Sequence, residues 1–373
     1  MIGFLSMQMF ALIYLQKLAL FPQSFPLSIP MLIMFGSIAY MVVMRKMQVS
    51  PERLGFYIVF VSVVVLATSL SGGSYASLID LVVLYGCWTV QARTSSLAYR
   101  VISDRFIWLM IVPAVVTIVQ YIYQKLTGLS NPIDMTYFVP QSLLMKGFVY
   151  IAHHPWYSSF IRPNGFFFLE PSFLSAFTAT ATIIEIVYFR RWYFVGLMVA
   201  ATLMSTGGTG MLMFLLAAPF LLAREKPWLI IAVIGAAIVG ILLALTMDIS
   251  LPLISRMGEM QHRDSSGGAR LVVPATQFME HFFDPTYLFY GAGPGSTVNE
   301  VDGPIVKVLN EYGVLAVLAY VLLYTVFVWR TPNRSLKFSL SVIFLFTGGY
   351  LLNPIMIEML YVLFFAAQPR RTD

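Results

Sequence analysis

Apolar positions run in long unbroken blocks along this chain, with polar residues confined mostly to the gaps between them. Blocks fall near 3–21, 27–44, 54–71, 75–92, 106–124, 171–189, 192–206, 209–223, 228–247, 304–329, 336–352 and 354–367. An apolar stretch of about 17–25 residues spans a hydrocarbon core as a helix. The pattern therefore predicts an all-α polytopic membrane protein of about twelve transmembrane helices, one transmembrane domain over residues 1–373. A β-barrel would show short alternating segments instead. Two short blocks, 192–206 and 209–223, meet at "STGGTG" and read as one hairpin or one broken helix. Glycines permit a tight turn there, which protein or water must shelter. The first block lacks an A-x-A-like cleavage site and is expected to be a span, not a removed signal peptide.

The gaps carry charge in a regular way. Arg45, Lys46 and Arg53 follow the second block, and Arg93, Arg100 and Arg105 follow the fourth. Arg190 and Arg191 follow the sixth, Arg224 and Lys226 the eighth, and Arg330, Arg334 and Lys337 the tenth, while Arg370 and Arg371 end the chain. With twelve crossings all six clusters fall on one side, and the positive-inside rule makes that side cytoplasmic, with both termini inside. A single crossing over 192–223 would invert everything after it. Two long segments, 125–170 and 248–303, then face outward. Connections of that length are usually functional or disordered; aromatics, Gly and Pro in both predict order.

Composition narrows the classes. The chain is 59% hydrophobic and 11% charged, with mean hydropathy +0.80, more apolar surface than a soluble domain can hide. Its net charge of +6 is a topology signal, and no basic tail points to nucleic acid. Cys87 is the one cysteine, so no intramolecular disulfide forms. His153, His154, His262 and His281 all lie on the expected outer side, without ligand spacing, so no metal and no cofactor is expected. Walker loop, serine nucleophile elbow and Asp-x-Asp pair are absent. Asp80, Glu185 and Glu358 are acidic residues within blocks, near block ends or on an ion path.

The outer segments hold the chemistry. Lys146, Arg162, Arg256, Arg263, Arg270 and Lys307 lie where cations are otherwise sparse. Long loops translocate regardless of charge, so some are simply solvated. Arg162 in "FIRPNGFFF" is flanked by aromatics just ahead of a span; it either snorkels to lipid phosphate or binds a phosphate ligand through its planar fork. Pro171 is suited to the first helical position, which puts Glu170 at a helix N-terminus. There it serves the dipole or acts as a carboxylate that takes a proton. Gly291, Gly293 and Gly295 in "LFYGAGPGS" form a tight turn or offer backbone N–H groups to a phosphate. Without a strand–helix unit around them they are not a dinucleotide fingerprint. Residues 271–284 fit an interfacial helix, with Leu271, Val272, Phe278, Phe282 and Phe283 as apolar contacts.

Three stretches taken together resemble a family. "RPNGFFFLEPSFLSAF" looks like the Arg-x-x-Gly…Glu-Pro-Ser region of Wzy-type polysaccharide polymerases, and "STGGTGMLMFLLAAP" resembles their Ser-rich helix opening. Arg270, "LFYGAGPGS" and "LNEYGVLAVLAY" are similar to the family's Arg…Gly-x-Gly-x-Gly…Asn-Glu-x-Gly region. The likeness runs in order over residues 160–325, whereas the first 150 match in hydropathy alone. O-antigen ligases share the architecture. The resemblance implies a GT-C-like glycosyltransferase in the bacterial inner membrane, its active site facing the periplasm. It would polymerise undecaprenyl-pyrophosphate-linked oligosaccharide repeat units into O-antigen, capsule or exopolysaccharide, with membrane lipids around it and a chain-length regulator as partner. Arg162 and Arg270 inherit the family's essential arginines, and Glu170 and His281 are the candidate bases. A ligase transferring glycan to lipid A core, a non-enzymatic carrier of lipid-linked glycan and a structural subunit are the competing readings. One-sided ionisable residues favour an outer-face enzyme over a carrier.

Overall fold

The computed structural model describes residues 1–20, 27–92, 96–128, 133–148, 150–151, 160–225, 276, 279–297, 302–329, 333–346 and 351–366. The described residues are largely helical. In chain order the helices are α1 (Ile2–Tyr14), α2 (Ile29–Val43), α3 (Pro51–Ser71), α4 (Tyr75–Gly86), α5 (Ser96–Thr127), α6 (Pro171–Ile184), α7 (Trp192–Met204) and α8 (Gly208–Glu225). After them come α9 (Pro285–Tyr290), α10 (Pro304–Trp329), α11 (Arg334–Phe346) and α12 (Pro354–Leu360). Four are long and apolar enough to cross a membrane: Pro51–Ser71, Ala98–Thr127, Pro171–Phe189 and Pro304–Val328. Shorter apolar helices occupy most other expected blocks, and the block at 228–247 lies outside the described residues.

Helix starts follow the sequence. Ser28 opens α2 by accepting the Met31 N–H at 3.2 Å, and Ser74 does the same for Ser77 at 3.3 Å ahead of α4. Asp284 caps α9, and Asn333 accepts from Ser335 and Leu336 at the start of α11. Such side-chain oxygens satisfy N–H groups that the first turn leaves without a carbonyl. Pro171 is the first residue of α6, as expected. That helix ends in a π-helical turn, Glu185–Phe189, closed by left-handed Arg190 (φ 61°). At 192–223 there are two separate helices, with Ser205–Gly207 between them.

Contacts within the expected transmembrane domain gather into two compact units. The first comprises residues 1–47, 92–218 and 358–373. In it α1 packs on α2 and α5, and α5, α6 and α7 pack on one another. Every residue of α6 is buried, and its hydroxyls are satisfied locally: Thr180 donates to Ala176 O and Thr182 to Thr178 O, each at 2.8 Å. The ends of this unit differ in chemistry. At one, Arg191 pairs with Glu185 (2.8 Å) and Asp104 (2.7 Å), Arg100 donates to Tyr188 O, and Arg105 donates to Ser6. Two of the expected basic clusters, at the start of α5 and in the α6–α7 turn, thus meet there beside the start of α1. At the other, Gly210 N–H donates to Ser175 Oγ at 3.1 Å, close to the start of α6.

The second unit comprises residues 48–91 and 219–357. Its core is aromatic: the Tyr85 and Tyr320 hydroxyls lie 3.0 Å apart, and Trp88 meets Phe327 edge-on at 5.3 Å. Arg53 is among the charges expected in the gap between the second and third blocks. Instead it is buried, its guanidinium over the Phe327 ring and donating to Trp88 O. Its aliphatic stem and flat cation fit an aromatic wall that a lysine would fit less well.

Candidate functional site

Residues 160–170 form an irregular segment buried against α5 and the end of α1. Buried backbone without regular structure leaves N–H and C=O groups that need partners. Glutamines supply them. Gln124 accepts the Ile161 N–H at 2.9 Å and donates to Ile161 O at 2.8 Å, a paired amide contact. One turn earlier on α5, Gln120 accepts the Gly165 N–H at 3.0 Å and donates to Ile133 O at 2.5 Å. Gln16, just past α1, accepts the Leu169 N–H at 3.3 Å. The segment passes so close to α5 that a Cβ on Gly165 would lie 3.0 Å from both Pro113 O and Thr117 Oγ1. At φ 64° that position suits glycine on conformational grounds too.

Beneath the segment lies a buried ion pair that local sequence patterns do not announce. Lys17 Nζ contacts both carboxylate oxygens of Asp134, at 3.1 and 3.0 Å, with the two side chains 0% and 5% exposed. Asp134 also accepts the Thr136 N–H at 2.8 Å and the Asn164 amide at 2.5 Å. Tyr150 closes the group: its ring lies 5.5 Å from Lys17 Nζ, and its hydroxyl donates to Met145 O. Burial, with the negative charges of Asp134 and Glu170 nearby, pushes the Tyr150 phenol above its ordinary range, so it stays a neutral donor.

Arg162 and Glu170 sit on this scaffold, both half-buried. Ile161 and Pro163 flank the arginine and are buried. Glu170 occupies the position before α6, yet its carboxylate does not cap the helix; it accepts the Ser172 hydroxyl at 3.1 Å. Its carbonyl starts the α6 ladder by accepting from Phe173 and Leu174. The carboxylate is therefore aimed away from the role of a simple cap.

The glycine turn belongs to the second unit. Gly291, Gly293 and Gly295 all have positive φ (69°, 94° and 79°), a conformation glycine adopts without strain. Their N–H groups are engaged within the chain: Gly291 donates to Tyr287 O, Gly293 to Glu311 O, and Gly295 to the Glu311 carboxylate. Thr297 Oγ1 adds a bond to that carboxylate at 2.8 Å, and Lys307 Nζ stands 3.7 Å from it. The geometry is that of a tight turn wrapped around one buried carboxylate. Pro294 packs against Gly73, and a Cβ on Gly293 would lie 2.4 Å from Gly72 O. Opposite the turn, α10 bends at Gly313 (φ 79°), where a Cβ would lie 2.2 Å from Phe289 O.

His281 is exposed in a turn before α9, its ring stacked on Tyr287 at 4.7 Å. Helix is described at residues 276, 279 and 280, and residues 281–283 form a turn, so the expected interfacial helix ends by Glu280; Phe283 is 91% exposed. Leu271, Val272 and Phe278, with Arg256, Arg263, Arg270, His153, His154 and His262, lie outside the described residues. Among the described residues no group of three or more metal-ligating side chains converges. The sequence singled out Arg162 and Glu170 but missed Lys17, Asp134 and Asn164 as their supports, and in the second unit it missed Glu311 beneath the glycine turn. A visible signal was Gln120 and Gln124, two amides one turn apart on an apolar helix. No family model, no curated protein and no solved structure matches the chain.

Proposed function

We propose that this chain is a membrane glycosyltransferase of the polysaccharide-polymerase kind, acting on polyprenyl-pyrophosphate-linked oligosaccharide. The observation that carries the reading is a half-buried arginine and a half-buried carboxylate on one clamped segment at the start of a buried helix. In the reaction, an acceptor hydroxyl attacks the donor's anomeric carbon. The bond from that carbon to the pyrophosphate oxygen breaks, and polyprenyl pyrophosphate departs with the electron pair. Arg162 stabilises the leaving group's charge through its bidentate fork, an effect that grows as water is excluded. Glu170 takes the acceptor's proton. Glu170 is preferred over His281 because it shares its segment with Arg162. Arg270 is assigned by resemblance to the same leaving group. The glycines are left as structural, since their N–H groups are already engaged.

The site faces outward from a bacterial inner membrane, with both termini cytoplasmic, in this proposal. Supporting it, Arg100, Arg105 and Arg191 gather at one end of the first unit, away from residues 160–170. Polar clamps inside the segment also favour fixed chemistry over the moving path of a carrier. Full-length protein in nanodiscs, supplied with undecaprenyl-pyrophosphate-linked repeat units, should give a glycan ladder on a gel. Unchanged substrate from well-folded protein would refute the enzyme reading. Transfer to lipid A core without a ladder would replace polymerase by ligase. A chain-length regulator, if it is the partner, should narrow the ladder when added.

A further inference from the structure

We propose that Lys17 and Asp134 are positioning residues: they fix which way round the Asn164 amide sits, and through it the turn that spaces Arg162 from Glu170. The inference rests on the function proposed for those two residues, but its physical core does not.

Ionised aspartate only accepts hydrogen bonds, and an asparagine side chain has one donor end and one acceptor end. Asp134 Oδ2, held beside the Lys17 ammonium at 3.0 Å, therefore faces the Asn164 nitrogen, at 2.5 Å. The nitrogen's second hydrogen goes to Tyr150 O at 3.3 Å. Asn164 Oδ1 is left pointing the other way, where it accepts the Phe166 N–H at 3.1 Å. That bond closes a turn in which Gly165 and Phe166 are both left-handed, at φ 64° and 71°. The conformation is ordinary for Gly165 and strained for Phe166, so surrounding contacts must impose it. Phe167 N–H to Gly165 O (2.9 Å) and Phe168 N–H to Asn164 O (3.3 Å) then carry the chain toward Glu170. A buried ion pair contributes little net stability in general, but it can specify one arrangement over its alternatives. Here the arrangement specified is the sense of one amide.

Exchanging the charges tests this. In a Lys17→Asp/Asp134→Lys protein the pair survives, but a donor-only ammonium now faces Asn164. The amide must turn over, and Phe166 N–H then meets a donor. The expected result is an unfolding midpoint lowered by no more than the lost Thr136 and Phe166 N–H bonds require, amide hydrogen exchange at Phe166 faster by at least about tenfold, and turnover of the lipid-linked donor lower by about 10²-fold. A refolded swap with Phe166 still protected and full turnover would overturn the proposal, because the pair would then be mere glue. Should the swap fail to fold, Asp134→Asn decides: the Thr136 N–H and Lys17 hold its amide oxygen at the Oδ1 position, so a donor faces Asn164 and the amide must turn over. Exchange at Phe166 as fast as in Asn164→Ala supports the relay, while protection matching the parent defeats it. Hydrogen exchange reads the turn even if the parent protein transfers no sugar. Lost protection beside an inactive parent would thus sink the glycosyltransferase reading and leave the relay standing.

Discussion

Asp134→Ala should destabilise the protein by several kilocalories per mole. The substitution removes the acceptor of two Lys17 contacts, the Asn164 amide bond and the Thr136 N–H bond. Lys17 is 0% exposed, so neither water nor salt can take over from the lost carboxylate. Breaking a buried pair by deleting one partner costs about 3–5 kcal/mol, and four lost bonds place this case near the top of that range. About 4 kcal/mol shifts the unfolding equilibrium roughly 10³-fold. Replacing both partners, as Lys17→Met/Asp134→Leu, leaves no buried charge behind and should recover the part of that loss due to the stranded ammonium, though not the Asn164 and Thr136 bonds. Equilibrium unfolding in mixed micelles, followed by tryptophan fluorescence, measures both proteins. A cost below about 1 kcal/mol for Asp134→Ala, or a double variant as damaged as the single one, would refute the claim that the ion pair is closed to solvent.

Other perturbations probe the rest of the site. Glu170→Gln should change stability by about 1 kcal/mol or less, since the carboxylate makes no cap, and should lower turnover by about 10²–10⁴-fold in a ladder assay; normal ladders beside an inactive His281→Ala protein would move the base to histidine. Arg162→Lys keeps charge but loses the fork and should still impair turnover, and full activity of both Arg162→Ala and Arg270→Ala at normal expression would end the pyrophosphate assignment. Gly313→Ala must fit a Cβ 2.2 Å from Phe289 O at a positive φ and should cost about 1–3 kcal/mol or more in thermal unfolding. A cysteine at Gly208 should react with impermeant reagents from outside, or at least not from the cytoplasm; cytoplasmic labelling would invert the topology downstream.

What the sequence announced, and what it hid, divides by range. Pro171 located the start of α6 because proline is favoured at one helical position, a purely local preference. The tight turn at Gly291, Gly293 and Gly295 was readable from an equally local preference. Helix α1 stops at Tyr14, although the apolar block continues to 21, because Gln16 and Lys17 are drawn into contacts with segments more than a hundred residues away. No local pattern reports such a partner. The glycine turn shows the same limit: its residues were visible, but not that Tyr287 and Glu311 had already claimed their N–H groups. Arg53 looked like a loop charge because burial beside Phe327 depends on tertiary packing that hydropathy does not encode.

Helix α6 has a consequence for how the protein is made. It is the least apolar of the four long helices and also the most enclosed, with hydroxyls along its length. A segment of that kind partitions weakly into lipid when it emerges alone during synthesis. Its neighbours α5 and α7 are the elements that cover it. Entry of α6 into the bilayer should then wait for α7, the three leaving the insertion machinery as a group rather than one by one. The segment bearing Arg162 and Glu170 would take its shape only after that joint release, so a ribosome stalled between α6 and α7 should leave it open to protease.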